Sequence, residues 1–327
     1  MALILLILLV LVSLTTLLSL YVGSTDVAVW AGLFDWMTGV DSVAAIVIGE
    51  IRLPRTLLSM SVGAALGLSG AALQGLLRNP LADPGLTGAS QGAALGAACV
   101  FYFGLFPLAG GAAPALAGLL GAGLAMSLML FLAGTARQGM VIMAGLAIST
   151  LTGALLAAVL NFAPNPYAMQ ELVFWLLGSV SERGLEHLGL LLPALLVGGG
   201  LILSQRRLLL GLSLGEQVAR SMGFSYTRGS RLIILGTALL VGTSVAVAGA
   251  IGFVGLIVPH LVRPLTGNRP DRVLIPSALL GAILVCLADI VVRLLPAGPE
   301  LKLGVLTSLL GAPLFIWLVW RERRRWL

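Results

Sequence analysis

Uncharged apolar stretches alternate with short polar connections along the whole chain, and their lengths predict its elements. Six of them run from Ala2 to Val22, Thr56 to Leu77, Ala89 to Leu108, Gly111 to Ala136, Gly139 to Ala163 and Leu188 to Ser204. A helix of roughly 20 apolar residues crosses a hydrocarbon layer about 30 Å thick, so each predicts one membrane span. Leu232 to Val262 would measure about 46 Å as a single helix at roughly 1.5 Å per residue, too long for one crossing. A break at Gly249-Ala250-Ile251-Gly252 resolves the excess: span seven ends there, and a short span eight closes near Pro259 and His260. Val273 to Val292 and Leu303 to Trp320 complete ten spans, the ninth carrying Asp289. The expectation is an all-α integral membrane protein, one transmembrane domain over residues 1–327. No Lys or Arg precedes Arg52, so the first stretch reads as a retained span rather than a cleaved signal.

Composition agrees, with 59% apolar and 10% charged residues among 327, far outside the range of soluble domains. The excess of 19 Lys and Arg over 13 Asp and Glu would suit a nucleic-acid binder, yet the cations lie in short loops between apolar runs and set topology instead. Cytoplasmic placement of both termini puts 14 of the 19 inside, leaving Arg52, Arg55, Arg183, Arg293 and Lys302 outside. Residues 24–53 then read as a periplasmic segment at the interface, and 206–231 as a cytoplasmic loop. Cys99 and Cys286 lie in apolar runs with no second Cys or His at ligand spacing, so no metal site is expected.

Gly63, Gly67, Gly70 and Gln74 repeat at helical spacing on one face of span two, which predicts a central, closely packed helix. Asn79-Pro80-Leu81-Ala82-Asp83-Pro84-Gly85 forces a non-helical turn after it. In the cytoplasmic loop, Leu214, Val218, Ala219 and Met222 fall at helical spacing while Glu216 and Arg220 form an i, i+4 pair, bounded by Gly215 and Gly223. That short amphipathic helix fits either a groove of a soluble partner or the inner leaflet.

Candidate chemistry is sparse. The sole lysine, Lys302, follows no glycine-rich loop, which excludes a phosphate-binding P-loop. The apolar runs offer only His260 and Asp289 as ionisable groups, and Asp289 can pair with Arg293 four residues on. Energy for transport is therefore expected from a partner protein. An ion-coupled secondary transporter of a small solute, and a membrane scaffold or receptor, stand as rival readings.

Ile51-Arg52-Leu53-Pro54-Arg55, Asn79 to Gly85, Leu214-Gly215-Glu216 to Gly223, and Gly252-Phe253-Val254-Gly255 to Pro259-His260 together resemble one family. Leu287-Ala288-Asp289, Gly304 to Thr307 and Gly311-Ala312-Pro313 extend the match, in order, over nearly the whole chain. It is the permease family of iron-siderophore, haem and cobalamin ABC importers, of the type II kind. The resemblance implies ten helices, a second permease copy as a homodimer or pseudo-dimer, two cytoplasmic ATPase subunits that use ATP and Mg, and a periplasmic or lipid-anchored substrate-binding protein. The chain itself would catalyse nothing, bind no cofactor and sit in the bacterial inner membrane, importing an iron chelate or cobalamin.

By the same resemblance, Leu214, Gly215, Glu216, Val218, Ala219, Arg220, Met222 and Gly223 form the ATPase-coupling helix. Arg52, Arg55 and Arg293 match positions that receive glutamates of the binding protein, snorkelling anchors being the alternative. Gln74, Asn79, Pro80, Asp83, Pro84 and Gly85 belong to the translocation path, with Gln138, Gly139 and Met140 at the inner gate before span five.

Overall fold

The computed structural model describes residues 1–23, 25–103, 113–134, 138–162, 166–295 and 301–326, and every described element is helical. α1 (Ala2–Tyr21) leads to α2 (Val29–Thr38) and to α3 (Val43–Ile46), which passes through one π-helical segment, Val47–Arg52, into α4 (Leu53–Leu76). α5 (Ala89–Phe103), α6 (Ala113–Ala133) and α7 (Gln138–Asn161) follow, then the short α8 (Pro166–Leu176) and α9 (Leu188–Ser204). α10 (Arg206–Ser213) and α11 (Glu216–Ser221) precede α12 (Tyr226–Ala248), α13 (Val254–Val262), α14 (Pro270–Leu294) and α15 (Leu303–Trp326).

Seven helices are long and apolar enough to cross a membrane, and α5, α13 and the apolar part of α15 are shorter. These ten match the ten expected spans. The loop assigned to 206–231 ends earlier, because α12 already begins at Tyr226. Likewise the segment 24–53 is helical from Val43 and continuous with span two. α8 was not anticipated: its eleven residues mix Glu171 and Gln170 with apolar neighbours and carry no span-length signal.

Burial sorts the spans. The apolar stretches of α4 and α12 are 83% and 78% enclosed, against 22% for α1, so α4 and α12 form the centre and α1 an outer wall. Glycine makes the central contacts possible. A Cβ on Gly63 would stand 2.2 Å from the Gly281 carbonyl oxygen of α14, and one on Gly281 equally close to that of Gly63. Gly67 meets Ser277 of α14 in the same way, and Gly70 abuts the backbone of Gly255 in α13. With no hydrophobic drive between helices in lipid, such close backbone approach is what holds a bundle together.

The predicted break is present. α12 stops at Ala248, Gly249 adopts φ +69°, and the chain turns back through Phe253, also left-handed at φ 66°, into α13. α13 has nine residues and covers half a span.

Candidate functional site

One end of the bundle carries α10 and α11, joined at Leu214 and Gly215, whose φ of +118° suits glycine. Leu208, Leu209 and Leu212 of α10 are buried and fix it to the bundle. Ala219 packs against Gly211, seating α11 on α10. Glu216 and Arg220 pair at 2.6 Å on the surface, as their spacing predicts. Leu214, Val218 and Met222 are 65%, 41% and 53% exposed, leaving the apolar face of α11 uncovered within the chain.

Beside α10 lies the turn after α4. Asn79 Oδ1 accepts from the Leu81 amide at 2.9 Å, and Asp83 Oδ1 from the Gly85 amide at 2.7 Å, capping a 3-10 turn at Pro84–Thr87. Burial pushes the Asp83 carboxyl above its ordinary range, and the Gly85 hydrogen bond opposes it. Pro84 rests on Gly255 of α13. Gln74 donates to the carbonyls of Gly255 and Leu256, and its Oε1 accepts from Arg263 Nη2 at 2.9 Å. Gln74 is 1% exposed, and both ends of its amide are occupied. It is a strut that ties α13 to α4. Arg263 was missed as its partner because nothing in a linear pattern links residues 189 apart.

At the opposite end three arginines are engaged within the chain. Arg52, which is 4% exposed, donates from Nη1 to the carbonyls of Leu20 at 2.8 Å and Tyr21 at 3.2 Å, and from Nη2 to that of Thr25. Arg55 Nε grips Asp289 at 2.9 Å, and Arg293 Nη2 grips the other oxygen at 2.7 Å. Arg293 also donates to the carbonyls of Ser19 and Val22 and to Ser19 Oγ, itself paired with Thr56 Oγ1 at 2.7 Å. The arginine side chains of these two ion pairs are only 13% and 8% exposed. Together they fasten α1, α4 and α14 to one another. The Asp289–Arg293 pair itself stands as the spacing predicts.

α7, the span of the expected gate, exposes Met140, Met143, Leu146 and Leu151 along its length. Gln138 and Gly139 begin this helix, and their side chains lie outside the described residues. Among the described residues, no three His, Cys, Asp or Glu are grouped to hold a metal ion.

Comparison with known proteins matches this architecture over its length. The vitamin B12 import system permease BtuC of Salmonella paratyphi A is 40% identical over 322 residues, covering 96% of this chain and 94% of the relative. BtuC of Salmonella typhi is 39% identical with the same coverage. A solved inward-facing conformation of a metal-chelate type ABC transporter superposes with a TM-score of 0.87 at 33% identity, over 98% of this chain and 100% of that one. PsaBC of Streptococcus pneumoniae shares the fold alone, with a TM-score of 0.53 at 17% identity. With residues 8–321 matched by the family's own model and relatives of this closeness along the same span, the chain belongs to the FecCD transport family.

Proposed function

We propose that the chain is the membrane-spanning permease subunit of an ATP-driven importer that carries cobalamin or an iron chelate, siderophore or haem, from periplasm to cytoplasm. The observation that carries this reading is the uncovered Leu214, Val218 and Met222 face on a helix pinned to the bundle through Gly211 and Ala219. An exposed apolar face on a helix fixed to the end of the bundle calls for cover, and a soluble partner that also brings the energy source supplies it. Two cytoplasmic ATPase subunits supply that cover and the nucleotide chemistry, using ATP and Mg. Their closure moves α10 and α11 as a rigid lever on α4 and α14. Both termini and α11 face the cytoplasm.

A second permease copy pairs with this one, the two enclosing the pathway. A substrate-binding protein delivers cargo at the opposite end. An ion-coupled mechanism is disfavoured, since Asp289, the one acidic side chain expected within a span, is engaged by two arginines. The deciding experiment is uptake of radiolabelled cobalamin and ferric siderophores into liposomes holding the permease, its ATPase and its binding protein. ATP-dependent accumulation of one cargo supports the reading. Uphill uptake by the permease alone on a sodium or proton gradient overturns it.

A further inference from the structure

Of the five cations that the sequence places outside, three are spent on internal contacts with Asp289 and backbone carbonyls. Arg183 and Lys302 are the other two, and both line one cavity of about 270 Å³ at the end away from α11. His187, Ser181 and Glu182 share its wall, and Phe101, Phe174 and Trp175 form an aromatic side. Phe101 and Trp175 meet edge to face with ring centroids 6.2 Å apart.

The cavity is held open by fixed elements. Ser179 N donates to the Ala248 carbonyl at 2.7 Å, and Gly304 N to that of Gly178 at 3.2 Å, clamping the loop after α8 to α12 and α15. Ser179 Oγ and Ser181 Oγ bond to each other at 2.6 Å, and Ser181 N donates to Ser179 Oγ, so the loop's hydroxyls are internally satisfied.

The cations are not. Among the described residues, neither Arg183 nor Lys302 has an ion-pair or hydrogen-bond partner, and Arg183 Nε is buried without one. Burial pulls the Arg183 guanidinium below its ordinary pKa, with Glu182 and Glu186 offsetting only part of that. Glu186 Oε1 lies 3.2 Å from His187 Nδ1, its side chain largely exposed. Glu182 and Glu186 act on Arg183 without a hydrogen bond to it, so its guanidinium fork, shaped for a two-oxygen acceptor, holds none among the described residues.

We propose that this cavity binds an oxyanion, a carboxylate or phosphate group, between Arg183 and Lys302, with any apolar body of the ligand against the aromatic wall. The oxyanion comes either from a solute or from a lipid headgroup. The test uses the full chain in phosphatidylcholine nanodiscs titrated with inorganic phosphate and with benzoate. The readout is the tryptophan fluorescence difference between the native protein and W175F.

A saturable, Trp175-dependent response is expected, weakened about tenfold or more in R183Q and in K302Q, the usual scale for a charge-assisted hydrogen bond. R183Q should keep the native unfolding temperature, because no hydrogen bond or close ion pair among the described residues is lost with Arg183. Equal responses in discs containing phosphatidylglycerol identify a solute as the source, and a response abolished there identifies the headgroup. No response in phosphatidylcholine, an R183Q titration equal to native, or an R183Q protein that unfolds several degrees lower would each overturn the proposal.

Discussion

Arg55 Nε and Asp289 Oδ1 lie 2.9 Å apart although 234 residues separate them in the chain. Arg293 holds the second oxygen of the same carboxylate from one turn along α14. Two guanidinium groups thus share one acceptor that is 1% exposed. Removing that acceptor strands both cations, which costs about 3–5 kcal/mol for a buried pair. D289A is expected to lower thermal stability in detergent markedly and D289N less, as followed by loss of the monodisperse peak on heating. Added salt should barely change either result, since the pair is shielded from solvent.

Reversal of the surface pair on α11, E216R with R220E, is expected to leave bundle stability within about 0.5 kcal/mol, because exposed i, i+4 pairs contribute little. Replacing Val218 and Met222 by Asp should likewise leave folding intact. Both changes should reduce co-purification of the ATPase and uncouple ATP turnover from uptake. Full assembly and normal transport by the Val218 and Met222 variants would remove α11 from the coupling path.

Gly63 and Gly281 leave no room for a methyl group on either partner, and the atoms in the way are backbone. G63A should push α4 away from α14 and destabilise by about 1–3 kcal/mol, the usual range for overpacking. G123A on α6 is the control: a Cβ there meets nothing within 4 Å, and the more helix-favouring alanine should be neutral or better.

Asp83 offers a pH test. Its carboxyl sits above the ordinary range in the folded protein, so folding favours its proton and its contribution weakens as pH rises through the carboxylate range. D83N keeps the acceptor for the Gly85 amide and has no charge to bury. The stability difference between D83N and the native protein should therefore grow as pH rises from about 4, where a free Asp titrates, toward neutrality. D83A, which lacks the acceptor, should be less stable than D83N throughout, read by unfolding temperature across the pH series.

Local spacing carried much of this molecule into view. Apolar run length located all ten spans, the excess of Leu232 to Val262 located the half-helix, and the Gly63, Gly67, Gly70 series located the central face. Glu216–Arg220 and Asp289–Arg293 are pairs within one helix, and their distances follow from helical pitch. What spacing does not contain is which helix faces which. Arg55 with Asp289, Gln74 with Arg263, and Arg52 with the end of α1 are contacts between distant segments, which no local pattern records. α8 lacked a signal for another reason, as its eleven residues are too few for a span and too mixed for a clear stripe.

The stretch from Gly249 to Phe253 leaves the regular hydrogen-bond ladder between α12 and α13, with Ala250 exposed on the bundle surface. Peptide groups outside a helix cannot border acyl chains without losing several kcal/mol each. Gly249 sits against the Trp175 carbonyl and the Ala250 carbonyl against Gly178 and Gly304, so neighbouring helices stand around the break where acyl chains could not.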